Sequence, residues 1–265
     1  MIDPTLNATL VSREDLHPEL IVIKVRPDSG AIQSFKPGQF CTLGLPPAET
    51  PDETGKRRPR LVRRAYSIAS SPNEPDHLEI FIVLVEDGRF TPMLWEVQQG
   101  DKIWMDEKIR GEFTLDTIPD GKDLVMVSTG TGLAPFISML RTYRGTDRWR
   151  RLVMIHGVRY AKDLGYKEEL EQIAAEDESV IYIPACTREP DDSPWAGHRG
   201  RVNTILDDPA IFRKYAGFDM NPDDCHLMLC GNPDMIKAAQ ATFEGQGWTT
   251  HTRKQEGNLH FERYW

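Results

Sequence analysis

Apolar residues in the first 115 or so positions fall in short runs, often one residue in two. LIVIKVR (20–26), GQFCTLGL (38–45), RAYSIAS (64–70), HLEIFIVLV (77–85) and DKIWMDE (101–107) are rich in β-branched and aromatic residues. Pro, Gly, Asn and Asp separate them, so each run reads as a strand bounded by turns. Five or six strands at this spacing predict an antiparallel β-barrel. TPMLWEVQQG (91–100) interrupts the series. Thr91 opens it, Pro92 suits a first helical turn and Gly100 stops it, which predicts a short helix over 91–98.

The pattern changes after TIPDGKD (117–123). DLVMVST reads as a strand and GTGLAPFISMLRTYR opens a helix; RLVMIHGV is a strand and YKEELEQIAAED an amphipathic helix. VIYIPACT and CHLMLCG are strands, and PDMIKAAQATFEGQG is a helix. Alternating β and α elements predict a doubly wound parallel sheet with helices on its faces. The expected organisation is two domains, a barrel over 1–117 and an α/β domain over 118–265, without internal repeats. PPAETPDETGKRRPR (46–60) is dense in proline and charge and is expected to be a surface loop.

Composition narrows the function class. A chain of 265 residues suits two cores better than one, and 39% hydrophobic with 28% charged residues is the make-up of an ordinary folded protein. The net charge of -9 argues against general nucleic-acid binding. The longest apolar run, IFIVLV (80–85), is too short to cross a membrane, and MIDPTLNATLVSRED lacks the apolar stretch of a signal peptide. The expectation is a cytoplasmic protein. Cys41, Cys186, Cys225 and Cys230 form no C-x-x-C pair and no zinc or iron–sulfur spacing, so they are expected to be reduced and packed as small hydrophobes.

Three stretches carry chemistry. STGTGLAPF (128–136) follows a strand and opens a helix. Its glycines permit a tight turn, and a helix start offers unpaired N–H groups to phosphate, although no Gly-Lys-Ser/Thr follows as in a Walker loop. In RRAYSIAS (63–70), strand alternation places Arg64 and Tyr66 on one face and Ala65 and Ser67 on the other. Arginine can hold a diphosphate, tyrosine can stack on a flat ring and a serine hydroxyl can bond a ring nitrogen. CGNPDM (230–235) ends a parallel strand and starts a helix, which is the ligand edge of such sheets; Cys230 is either partly exposed there or a buried cysteine at the strand end, with Asn232 and Asp234 beside it.

Taken in order, R-A-Y-S (64–67), G-R-F-T (88–91), G-T-G-L-A-P (130–135), C-G-N-P (230–233) and a terminal E-x-Y resemble the ferredoxin–NADP+ reductase family, most of all its bacterial flavodoxin/ferredoxin branch. The resemblance runs along nearly the whole chain. It implies FAD on the barrel and NADP(H) as substrate on the second domain. It places Arg64 on the diphosphate, Tyr66 on a flavin face with Ala65 next to it, and Ser67 near flavin N5. Gly88, Arg89, Phe90 and Thr91 close over the diphosphate. NADP(H) lies across Thr129, Gly130, Thr131, Gly132 and Pro135. Arg159, Arg188, and Arg199 or Arg201 stand where the family discriminates the 2′-phosphate, which suits forked cationic donors. Cys230 and Glu262 line the nicotinamide site by the same resemblance.

The chain ends HFERYW. In the family a terminal Tyr stacks on the flavin; here that is Tyr264, with Trp265 after it to cover the adenine of a folded FAD. A simple aromatic tether on the barrel is the alternative. KRRPRLVRR (56–64) holds six basic residues in nine and is either a solvated charge run or a rim that steers an acidic partner. The implied function is a monomeric FAD enzyme that exchanges electrons between NADPH and a transiently bound ferredoxin or flavodoxin. The competing readings are the reductase component of an oxygenase and a non-catalytic flavin- or nucleotide-binding regulator on the same scaffold.

Overall fold

The computed structural model describes residues 6–47, 61–74 and 76–263. The chain divides into two compact units, Met1–Glu112 and Phe113–Trp265. The division falls ahead of the expected boundary at 117 because Phe113, Leu115 and Ile118 are all buried. Arg148 Nη2 also donates to the carbonyls of Leu115 and Ile118, at 3.1 and 3.4 Å, which ties this segment to the second unit.

In the first unit, β1 (Ala8–His17), β2 (Leu20–Pro27), β3 (Phe40–Leu45), β4 (Val62–Ser67), β5 (Leu78–Val83) and β6 (Lys102–Met105) form one antiparallel sheet. Its order is β4-β3-β6-β1-β2-β5. The two ends of that order meet through an antiparallel bridge between Ile68 and Ile80, with Ala69 N donating to Glu79 O at 2.8 Å. The sheet therefore closes on itself, as a barrel requires. Leu10, Ile21, Ile23, Leu43, Ile80, Ile82 and Phe90 fill its interior. Cys41 is buried among them, and burial pushes its thiol up to about 12. The helix α1 spans Thr91–Trp95, shorter than expected.

Sequence pattern missed β1. Its burial alternates only over the first few residues, and SREDLH then runs exposed or half-buried along β2. A strand that shows its polar side chains to water gives no hydrophobic period.

The second unit contains β7 (Asp123–Thr129), α2 (Ala134–Tyr143), β8 (Arg151–Val158), α3 (Lys167–Glu176) and β9 (Val180–Cys186). It continues through β10 (His198–Arg199), α4 (Val202–Asp207), α5 (Pro209–Ala216), β11 (Cys225–Gly231), α6 (Pro233–Gly245) and β12 (Leu259–Arg263). All pairings are parallel and the order is β10-β9-β8-β7-β11-β12. The chain leaves β7 in one direction and returns on its other side at β11. That reversal opens a crevice at the carboxyl ends of β7 and β11, the usual ligand position in such sheets. Strand β11 is buried at every position, as its run of apolar residues demands. Asn232 caps α6, its side chain accepting from Asp234 N and Met235 N at 2.8 and 3.2 Å. Among the described residues, no helix is long and apolar enough to cross a membrane.

Three imidazoles stack in this unit. His226 and His260 are buried, with His226 Nδ1 3.0 Å from His260 Nε2, and His251 stacks on His260 at 4.8 Å between centroids. Burial, then the charges of Lys122 and His251, lowers His226 from 6.5 to about 4. Burial, then His226 and His251, lowers His260 to about 3. Both are neutral in the folded chain, whereas the unfolded chain takes up protons from about pH 6.5 downward. Their contribution is complete above pH 6.5 and is lost as pH falls towards 4. The slope is up to about 1.4 kcal/mol per pH unit for each histidine. Urea unfolding at pH 7.5, 6, 5 and 4.5 is expected to show this decline, and His260→Phe is expected to make it shallower.

Candidate active site

In the barrel unit the R-A-Y-S segment is β4 itself. Arg63, Arg64 and Ala65 are exposed, Tyr66 is half-buried and Ser67 is buried. Burial thus rises along the strand rather than alternating as the sequence pattern predicts. Arg63 stacks over Trp104 at 4.0 Å, while Arg64 Nη1 donates to Arg63 O at 2.8 Å. Tyr66 lies opposite Cys41 in the β3 pairing and meets the Phe90 ring at 5.9 Å, tilted by 43°. That contact brings residues 64–67 and 88–91 together. Burial holds the Tyr66 hydroxyl above its ordinary range, with Arg64 pulling the other way, so it stays a proton donor.

The G-R-F-T turn is built from both sides. Thr91 Oγ1 donates to Val85 O and accepts from Val85 N, each at 3.0 Å. This hydroxyl, expected beside a cofactor, is a staple that closes its own turn. Gly88 sits so close that a β-carbon would come within 2.8 Å of Val85 O. Arg89 is exposed and Phe90 buried. The segment therefore presents two exposed guanidinium groups, Arg64 and Arg89, around a half-buried aromatic ring. These are the donors that a diphosphate joined to a flat ring system needs, so the residues fit FAD.

In the α/β unit the crevice is lined by two turns. Gly130 has φ of +52° and open space where a β-carbon would point, and Gly130–Leu133 form a 3₁₀ turn that leads into α2. At Gly132 a β-carbon would lie 2.6 Å from Cys230 O, so only glycine allows the approach to β11. Gly231, at φ +124°, likewise faces Thr129 with no room for a side chain. Thr129 Oγ1 accepts from Asn232 N at 2.8 Å and joins the two turns directly. Thr131 is half-buried, Pro135 buried, and Asn232 and Asp234 exposed. The open, glycine-built turn at the start of α2 fits a dinucleotide phosphate.

Of the two expectations for Cys230, burial is the one observed. The residue is fully buried, because β11 lies inside the sheet with β7 and β12 on either side. In register it stands level with Ser128 and Glu262. Glu262, half-buried, reaches this level because HFER is part of a strand and not a loose tail. Tyr264 and Trp265 lie outside the described residues, as do residues 56–60 of the basic run.

The four arginines divide. Arg159 follows β8, Arg188 follows β9 and Arg201 follows β10, all exposed. Among the described residues their guanidinium groups have no hydrogen-bond or ion-pair partner. Arg199 is different, since its guanidinium is turned onto the loop before it.

One residue of the site was not expected from sequence. His156 on β8 is fully buried, with Nε2 3.0 Å from Gly130 O. A carbonyl only accepts, so Nε2 carries the proton. Burial lowers this imidazole from 6.5 to about 4 against the opposing hydrogen bond, which keeps it neutral. Its signal was a lone polar residue inside the apolar run RLVMIHGV.

Known proteins share this arrangement. The family model for the oxidoreductase FAD-binding domain matches residues 17–111, and that for the oxidoreductase NAD-binding domain matches residues 126–241. A flavodoxin/ferredoxin–NADP reductase of Buchnera aphidicola is 32% identical over 236 residues, covering 88% of this chain and 90% of its own. The ferredoxin–NADP reductase of Pseudomonas aeruginosa is 33% identical, covering 86% of each chain. A crystal structure of a ferredoxin NADP+ reductase from Neisseria gonorrhoeae with bound FAD and NADP superimposes with a TM-score of 0.84. It is 29% identical, over 99% of this chain and 100% of that one.

Replacing His156 with Leu removes the donor to Gly130 O and loosens the phosphate turn. The expected result is a Kd for NADP+ raised about tenfold, the worth of one buried hydrogen bond. The Kd for NAD+, measured in the same titration calorimetry, should rise by a similar factor, since both coenzymes carry the diphosphate.

Proposed function

The chain belongs to the flavodoxin/ferredoxin–NADP reductase family and is an FAD-dependent NADPH oxidoreductase, and we propose that it exchanges electrons with a ferredoxin or a flavodoxin. The observation that carries this reading is that one chain holds both Arg64, Tyr66 and Arg89 on the barrel and the glycine turn Gly130–Leu133 in the α/β unit, residues that fit FAD and a dinucleotide phosphate respectively.

FAD supplies the redox chemistry, because a flavin takes a hydride from a nicotinamide and releases electrons singly. The chain's own residues bind, orient and exclude water. Arg64 and Arg89 neutralise the FAD diphosphate, with the turn stapled by Thr91 held against it. Tyr66 would cover a flavin face, with Ala65 beside it, and the Ser67 hydroxyl would lie near N5. The Gly130 turn, with Thr129, Thr131, Gly132 and Pro135, carries the NADPH diphosphate, and Asn232 and Asp234 border it. Arg159, Arg188 and Arg201, exposed and unpaired among the described residues, meet the 2′-phosphate. Fully buried Cys230 packs beneath this edge of the sheet, and half-buried Glu262 would be the polar neighbour of the nicotinamide. Tyr264 and Trp265, which lie outside the described residues, would cover the flavin and its adenine as the family resemblance implies. Alignment and dryness are the protein's contribution to hydride transfer.

Anaerobic titration of the purified flavoprotein tests the activity. NADPH is expected to bleach the visible flavin bands readily and NADH poorly. A flavin that neither nucleotide reduces would falsify the reading. In the same titration, a chain lacking Tyr264 and Trp265 is expected to be reduced more easily by NADH, and unchanged NADH use would remove the tail from the site.

The basic run ending at Arg64 supports the acidic partner. Ferredoxins and flavodoxins are acidic, and clustered cations accelerate such encounters in a salt-dependent way. Reversing charge at Lys56, Arg57, Arg58 and Arg60 is expected to slow partner reduction at low salt about tenfold or more and to flatten its salt dependence. Stopped-flow mixing with a ferredoxin at two ionic strengths decides it, and an unchanged rate and slope would assign the run to solvent.

A further inference from the structure

Arg199 has a geometry unlike that of the other three arginines. Its Nη1 donates to the carbonyls of Glu189 and Pro190 at 3.1 and 3.0 Å. Its Nη2 donates to Ser193 O, Ser193 Oγ and Trp195 O at 3.3, 3.1 and 3.3 Å. Those two atoms carry four of the five N–H groups of a guanidinium. All of them face the loop, so no fork is left for a phosphate. The sequence expectation that Arg199 is a candidate phosphate ligand is therefore replaced by another role.

The loop between β9 and β10 is fastened at a second point. The Glu189 carboxylate accepts from Ala161 N in the turn after β8. Arg188 N donates to Arg159 O at 2.8 Å, and Thr187 N to Val158 O at 3.1 Å. Between the two fastenings Trp195 packs on Val158, Leu164 and Cys186. Its indole Nε1 donates to His198 O at 3.2 Å, and its ring lies so close over Gly197 that no β-carbon fits there. Two turns and a strand are thereby held as one body: the turn after β8 with Arg159, the turn after β9 with Arg188, and the edge strand β10, whose end leads to Arg201.

We propose that Glu189 and Arg199 are positioning residues, a two-point brace that holds Arg159, Arg188 and Arg201 in one frame and so sets the preference for the 2′-phosphorylated coenzyme without touching it. This rests on the reading of the chain as an NADPH oxidoreductase. Cations on a fixed backbone need little ordering when the phosphate arrives, whereas cations on separate mobile turns must be ordered at the expense of affinity. NADH offers no phosphate to these side chains, so its binding is indifferent to the brace.

Glu189 gives a test with opposite signs. If only electrostatics mattered, removing a carboxylate near a phosphate site would tighten NADPH binding. If the brace matters, the same change weakens it. Steady-state kinetics with ferricyanide as acceptor, using NADPH and NADH on each variant, separate the two. Glu189→Ala is expected to raise KM for NADPH about fivefold to tenfold, with kcat and KM for NADH within about twofold of the parent. Glu189→Gln is expected to stay near the parent, because an amide oxygen still accepts from Ala161 N. Arg199→Lys is expected to behave like Arg199→Met, because one ammonium cannot replace the fork across four residues.

An NADPH KM that falls or stays constant in Glu189→Ala overturns the proposal. So does full rescue by Arg199→Lys, which would mark a direct charge contact. Equal loss with both coenzymes would mean general misfolding and would overturn a role in specificity. A parent enzyme that NADPH does not reduce fails the functional reading itself. A parent that strongly prefers NADPH, with Glu189→Ala unchanged, fails only the brace.

Discussion

The coenzyme edge depends on two backbones approaching with no side chain between them. Gly132 stands against the Cys230 carbonyl and Gly231 against Thr129, and a β-carbon at either would collide with main chain or with the Thr129 hydroxyl. This contact lets the hydroxyl of Thr129 reach Asn232 N and fixes the two turns at the switch point. A carbonyl of the same turn, at Gly130, is then held by His156 from beneath. If the approach widened, the phosphate turn, the cap of α6 and the level row of Ser128, Cys230 and Glu262 would all lose their reference point. The glycines of the motif are thus chosen as much for packing of one strand end against another as for room around a ligand.

The barrel unit reaches a similar result by a different route. Here the local anchor is a hydroxyl, since Thr91 returns to Val85 and holds the 85–91 turn closed. The Tyr66–Phe90 contact then sets that turn beside β4. Exposed arginines are left at the surface of a rigid, mostly apolar frame. In both units hydroxyls and amides beside the candidate site are engaged with main chain, as Thr91, Thr129 and Asn232 show.

Much of this was legible in the sequence. Continuous apolar runs such as CHLMLCG are unambiguous because burial on both faces tolerates nothing else, and β11 is buried at every position. Glycine turns were legible because backbone that no other residue can adopt leaves a fixed letter. Strand β1 was not, since its polar side chains carry no period, and β12 is absent from the predicted strands because its five residues are too few to show one. The burial of Cys230 stays open in the sequence because nothing in CGNPD says that a further strand will cover that edge. Arg199 could not be told from Arg201 by spacing, because the difference lies in where loop carbonyls point. His156 was hidden for the same reason, its partner being a backbone atom 26 residues earlier.

The pairing of β7 with β11 has a kinetic side. Thr129 and Asn232 are 103 residues apart, and Cys225 and Asp123, which meet at the other end of the same pair, are 102 apart. The β1–β2 hairpin, by contrast, joins neighbours in sequence. Contacts of such long range carry a large loop-closure entropy and form slowly. On contact range alone, the central seam of the sheet is expected to close later during refolding than the β1–β2 hairpin. A chain whose β7–β9 region has already collapsed would still lack a dinucleotide site, so nucleotide binding reports completion of the fold and not merely its onset.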